Sequence, residues 1–217
     1  VKPFQWLNFK LQGGTFTITK LNIFKTVKTF IDQKYQNLYD YNISKVIQYN
    51  ANPVYVLEFI PIGDFNENGF VGEMFVHRET FAIVHVGFRY TKTGMKNAEN
   101  EMIKKKPKGV KAKPTFTNYE TNYQQYNGKW HLANVKASVK FKDRSRNDKL
   151  NSEYHSVSDL LINDIHDTEL KKFERDESFT QRDIFVEMIN NYDPDFWENY
   201  NIIKPDEELQ NAFKKWD

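Results

Sequence analysis

"NGKWHLANVKASVKFKD", residues 127–143, gives the clearest alternation in this chain. Ala133, Val135, Ala137, Val139 and Phe141 fall on one side; Asn134, Lys136, Ser138, Lys140 and Lys142 fall on the other. A period of two over this length marks a half-buried antiparallel strand, apolar inward and polar outward. Asn127-Gly128 at its start suits the positive φ of a tight hairpin, so a partner strand is expected directly before it.

The same period governs the chain from Tyr39 to Ile165. In "VYVLEFIP", Tyr55, Leu57 and Phe59 alternate with Val54, Val56 and Glu58, and "GFVGEMFVHRETFAIVHVGFRY" reads as two strands joined at His77–Thr80. In the second of these, Ala82, Val84, Val86, Phe88 and Tyr90 share a face. Asn68-Gly69 is a further turn dipeptide. Seven strands are expected, near residues 39–50, 53–62, 69–77, 80–92, 115–126, 129–143 and 151–166, as an antiparallel meander. Glu58 and Glu73 fall on its outer, wetter face.

The ends differ. Residues 1–38 form a lead-in, irregular to about residue 35 with a break at Gly13-Gly14, and "TVKTFIDQKYQNLYDY" is expected to hold a short helix. Residues 167–217 switch to helical spacing: Ile184, Phe185, Met188, Ile189 and Tyr192 recur at that period, and Ser178 with Gln181 reads as a capping box. Asp193-Pro194 and Lys204-Pro205 punctuate two further short helices. The aromatics Phe196, Trp197 and Tyr200 are expected to dock on the sheet as a plug or lid. Residues 92–114, rich in lysine, read as a solvated loop between two strands, or as a basic patch for anionic lipid or an acidic partner.

The 217 residues fit one domain, with 28% charged and 39% hydrophobic residues in an ordinary globular balance. The 18 Phe, 12 Tyr and 4 Trp favour a strand-rich core. A net charge of +2 gives no general case for nucleic acid, and none is expected as a partner. With no cysteine, disulfides and thiol chemistry are excluded. The chain begins at Val1, which reads as a trimmed or mature fragment of a longer protein.

Phosphate-binding glycine loops, nucleophile elbows and metal-binding HExxH motifs are missing. The histidines, His77, His85, His131, His155 and His166, are dispersed. No catalytic residue, metal or cofactor is implied, and the chain reads as a non-enzyme. Ala133 and Ala137 are small on the inner face, leaving volume for a packed helix or an apolar ligand.

"VGEMFVHRETFAIVHVGFRY" resembles the hairpin of the LolA/LolB-like outer-membrane lipoprotein-sorting fold. There, Gly-x-hydrophobic-aromatic-hydrophobic-Asp is followed by Thr/Ser-Tyr-Ala-Ile; here stand Gly72, Phe75, Val76, then Thr80, Phe81, Ala82 and Ile83. The departure is His77, where the family usually has Asp. "KKKPKGVKAKP", "YQQYNGKWHLANVKASVKF" and "YDPDFWENYNIIKPDEEL" look like the C-terminal region of Gram-negative envelope proteins described as carboxypeptidase-like regulatory domain-containing proteins. No peptidase residues accompany that resemblance. It implies an α+β fold, a strongly curved antiparallel half-barrel of about seven or more strands wrapped around short helices, with C-terminal helices. It also implies an exported protein, periplasmic or outer-membrane associated. The concave face would hold a lipid or lipoprotein acyl chain, lined by Leu57, Phe59, Met74, Val84, Val86, Val135, Val139 and Phe141, to which Ala133 and Ala137 add volume. The alternative is a protein-interaction or structural module with a filled core, whose outer face or lysine-rich loop engages an envelope protein partner; peripheral membrane association through residues 92–114 is a separate expectation.

Overall fold

The computed structural model describes residues 10–25, 30–64, 69–145, 150–167 and 173–188. Its centre is one seven-stranded antiparallel sheet in meander order: β1 (Tyr39–Tyr49), β2 (Asn52–Pro61), β3 (Phe70–His77), β4 (Ile83–Tyr90), β5 (Lys111–Tyr126), β6 (Lys129–Ser145) and β7 (Leu150–Leu161). β1 and β7 are the two edges, so the sheet is not closed into a barrel. Among the described residues the helices are few and short: α1 (Gly14–Thr19), α2 (Lys92–Asn97), α3 (Glu99–Met102) and α4 (Phe185–Met188). No helix among the described residues is long and apolar enough to cross a membrane.

Turn chemistry sets the register. Asn127 and Gly128 take φ of 48° and 72°, and the hairpin closes with Tyr126 opposite Lys129. The β1–β2 hairpin uses the same device with Asn50 and Ala51 at φ 48° and 62°, a conformation that glycine adopts more readily than alanine. Asn68 lies outside the described residues.

Residues 14–25 and 30–38 cover one face of the sheet. α1 packs on β6 and β7, and the chain then crosses towards β1. Thr121 Oγ1 donates to the Leu21 carbonyl at 3.0 Å, Tyr123 OH to Asn22 Oδ1 at 3.1 Å and Tyr41 OH to the Phe30 carbonyl at 2.7 Å. Ile23 and Phe30 thereby join Tyr39, Phe59, Met74, Val86, Phe88, Tyr119 and Tyr123 in the main core. The expected helix within residues 26–41 is not formed in the described part, where turns lead to a 3-10 turn at Gln36–Leu38.

The opposite face has its own core of Val54, Val56, Phe75 and Val84, flanked by Ile47 and Tyr49. This corrects the placement of Val84 on the face of Val86 and Phe88. A bulge lies there: Phe75 pairs with His85 but Val76 pairs with Ile83, so Val84 is the unpaired extra residue and the alternation breaks. Glu58 and Glu73, directly opposite each other, lie in this face's ladder.

Two further expectations are corrected. The lysine-rich connection begins as α2, where Thr91 caps by accepting from the Gly94 N–H at 3.0 Å, and α3 follows. Near the C-terminus the capping box is made by Glu174 and Glu177 around a 3-10 turn, not by Ser178 and Gln181; Ser178 Oγ instead donates to the Glu174 carbonyl. α4 falls within the expected helical stretch. Phe196, Trp197 and Tyr200 lie outside the described residues.

Candidate functional site

The residues expected to line a concave ligand site are mostly brought together, but under the chain's own lead-in. Phe59, Met74 and Val86 are buried in the main core with Ile23 and Phe30, and Leu57, Ala137 and Val139 pack against it. Val135 and Phe141 are buried as well. Ala137 stands opposite Tyr119. Ala133 sits at a second bulge, where Asn122 pairs with Asn134 but Tyr123 with Leu132, and its carbonyl accepts from the Ile162 N–H at 2.8 Å.

An open groove of about 810 Å³ lies instead at one end of the sheet. Its floor is Tyr123 and Leu132, paired across β5 and β6, with Trp130 beyond them at the hairpin tip. One wall is the β3–β4 turn, Phe81 to Ile83; another is Asn22 to Lys25, omitting Ile23; the third is Ile162 and Ile165 after β7. Phe24 packs edge-on against Tyr123 at 5.1 Å. Asn22 Oδ1 also accepts from the Phe24 N–H at 3.2 Å, which holds that wall in place. Phe81 is 71% exposed at φ 54°, an unfavourable conformation for a bulky side chain that holds an apolar ring out at the rim.

The β3–β4 turn gives His77 a defined role. Its Nδ1 accepts from the backbone N–H groups of Glu79 and Thr80 at 3.3 and 3.2 Å, the role a turn aspartate fills with its carboxylate. Its ring lies 6.2 Å from that of Trp130, tying the turn to the hairpin tip. The other histidines have separate partners. His85 Nδ1 donates to Asn122 Oδ1 at 2.6 Å, His155 shares a hydrogen bond with Ser138, His166 pairs with Asp164, and His131 packs against Tyr126. Among the described residues no group of three His, Asp or Glu side chains could hold a metal ion.

The groove's phenol is a neutral hydrogen-bonding group. Burial pushes Tyr123 far above the usual tyrosine range, against a smaller opposing effect of the Ile23 backbone. Burial, with Tyr90 adding to it, does the same to Tyr119 in the adjoining core. A different buried group lies at the far end of β6. Asp143 is 4% exposed, opposite Ala112 and Ser152, and burial raises its carboxyl above the ordinary 3.8. A carboxyl raised by folding favours the native state most when protonated. That contribution is complete below the unfolded value of 3.8 and is lost as pH rises through the folded value. Asp143→Asn is therefore expected to raise stability at neutral pH by about 1 kcal/mol and to flatten the pH dependence on the acid side. Urea midpoints of both proteins across that range test it; a variant less stable than the parent at pH 7 counts against it.

No family model, curated protein or solved structure matches the chain.

Proposed function

We propose that this chain is a non-catalytic cell-envelope domain that holds one apolar chain, of the class of a lipid or lipoprotein acyl tail, in the end groove. The observation that carries this reading is the groove's lining, in which Phe24, Phe81, Ile83, Tyr123, Trp130 and Leu132 meet around about 810 Å³. Ligand pockets commonly enclose roughly 300–1,000 Å³ behind mainly apolar walls with a few polar groups. Asn22 on one wall and Tyr123 at the floor are such groups. The middle of the same face, where Ile23 and Phe30 pack on Phe59 and Met74, is core rather than binding surface.

A curved half-barrel is part of the proposal. Tyr49 OH on β1 donates to Asn122 Oδ1 on β5 at 2.7 Å, although β2, β3 and β4 run between them. Four flat inter-strand steps would hold those strands roughly 19 Å apart, beyond the joint reach of the two side chains. A strongly twisted sheet lifts one pair of diagonal corners on each face, which accounts for a core on both faces. The envelope location rests on the resemblance of the β3–β4 hairpin and the later segments.

The test is displacement of a fluorescent fatty acid from the full chain, with mass spectrometry of the native protein for a co-purified lipid. Leu132→Asp is expected to weaken binding by about tenfold, while Ala137→Phe, under the lead-in, leaves affinity unchanged wherever it folds. Absence of any lipid or fatty-acid binding by the intact chain overturns the reading. One observation favours a second reading, a protein-interaction module: Ile43 and Val46 stand exposed on the edge strand β1, a surface suited to strand addition. It gains if the groove proves empty and Val46→Lys abolishes a specific association.

A further inference from the structure

The lysines of the β4–β5 connection and the polar face of β6 are separate features of the sequence, and the register joins them. Lys111 stands opposite Arg144 and Lys113 opposite Lys142, all four exposed. Like charges directly opposite destabilise a strand pair unless an anion neutralises them. Lys140 continues the β6 row, its Nζ lying 5.9 Å from the centre of the Phe116 ring, and that ring is 41% exposed. Directly before β5, Lys104, Lys105, Lys106 and Lys108 are exposed in the segment feeding Lys111. None of these nine cations forms an ion pair among the described residues.

The neighbouring strand supplies one carboxylate to this patch, Glu153 opposite Lys142, with Asn151 opposite Arg144 and His155 opposite Lys140. Glu99 and Glu101 lie earlier, on α3, where Glu101 faces the cleft of Phe70 and Tyr90. The whole chain has 31 Lys and Arg against 29 Asp and Glu. Nine cations and one acid give the patch +8; the remaining 22 cations and 28 acids give the rest −6. A net charge near neutral thus conceals a strongly polarised molecule.

We propose that this patch is a docking surface for an anionic lipid bilayer, with Phe116 entering the interfacial layer. Charge complementarity selects an anionic partner, and each lysine or arginine near such a surface adds to the attraction. Lys111, Lys113, Lys140, Lys142, Arg144 and Phe116 lie on outward strand faces, which suits a broad surface without shape of its own. A single-strand nucleic-acid platform would need several aromatic rings interleaved with the cations, and Phe116 is alone among the cationic rows of β5 and β6. The strand residues of the patch are on the sheet face opposite the lead-in, so it stands independently of the end groove.

Co-sedimentation of the full chain with vesicles tests this. Binding is expected to vesicles of equal phosphatidylcholine and phosphatidylglycerol, not to phosphatidylcholine alone, and it falls as salt rises. The combined variant Lys111→Gln, Lys113→Gln, Lys142→Gln, Arg144→Gln is expected to weaken it by about tenfold or more with an unchanged urea midpoint or a higher one. Phe116→Ser weakens it by about threefold and leaves the salt dependence intact. Equal binding to both vesicles, binding to neither, or tighter binding to a DNA duplex or an acidic polypeptide overturns the proposal. Leu132→Asp leaves vesicle binding intact, so failure of the groove reading and failure of this one are separable.

Discussion

Phe30→Ala is expected to cost about 4 kcal/mol of folding stability, read as a lower urea midpoint with an unchanged slope. The ring is 1% exposed. It stacks on Phe59 at 4.2 Å, meets Phe88 at 5.4 Å, and points edge-on at Tyr39 and Phe70 at 6.4 and 6.3 Å. Removing it forfeits the transfer of a whole aromatic side chain and leaves a hollow whose walls are held by strand ladders and cannot collapse. Aromatic pairs add about 0.5–1.5 kcal/mol each beyond area, so the loss falls at the upper part of the Phe→Ala range. Phe81→Ala, at the groove rim, is expected to change stability by about 0.5 kcal/mol or less. If Phe30→Ala cost as little as Phe81→Ala, the lead-in would not be seated on the sheet, and the middle of that face would become available to a ligand.

That contrast bears on how much of the molecule is legible in its sequence. The meander is legible because its faces alternate, and the seven expected strands are the seven observed, with ends displaced by a few residues. β5 begins at Lys111 rather than near 115, because cross-strand pairing carries Lys111 and Lys113 into a strand that their propensities do not suggest. Pro114 is accommodated beside a register shift, as prolines in sheets usually are. α1 is illegible: "GTFTIT" has the β-branched composition of a strand, yet Gly14 lets Phe185 and Phe179 come so close that a Cβ would lie 2.7 and 3.2 Å from them. Tertiary packing overrides local preference there.

The groove is illegible for a different reason. Its walls come from residues 19–25, 81–83, 123–132 and 162–165, and no local period connects four segments so far apart. The inner-face residues are legible because strand alternation points to them, but alternation reports burial and is silent on whether the cover is ligand or polypeptide. Strict alternation misplaces Val84 because a bulge has no sequence mark of its own. The basic patch was half legible, as two separate runs whose union depends on register.

Gly72→Ala is expected to be the most damaging small change in the sheet, costing about 3 kcal/mol or more or preventing folding. Gly72 pairs with Phe59 on one side and Phe88 on the other. A Cβ there would lie 2.0 Å from the Gly87 carbonyl oxygen and 2.8 Å from Phe88 Cα. Both are backbone atoms of β4, which no rotamer change can move, so the β3–β4 ladder must part. Gly87, its neighbour across that ladder, is the control: a Cβ there meets only His85 Nε2, at 3.5 Å. Gly87→Ala is expected to stay within about 1 kcal/mol of the parent, because ordinary contact and a less flexible unfolded chain offset each other. Thermal unfolding of the pair separates a steric requirement from a general dislike of replacing glycine; equal losses at both positions would refute it. Any displacement of β4 also moves Phe81, Ala82 and Ile83, which precede or begin that strand and form one groove wall. A folded fraction of Gly72→Ala is therefore expected to bind fatty acid more weakly than Gly87→Ala, coupling a one-carbon change in the sheet to a site at its end.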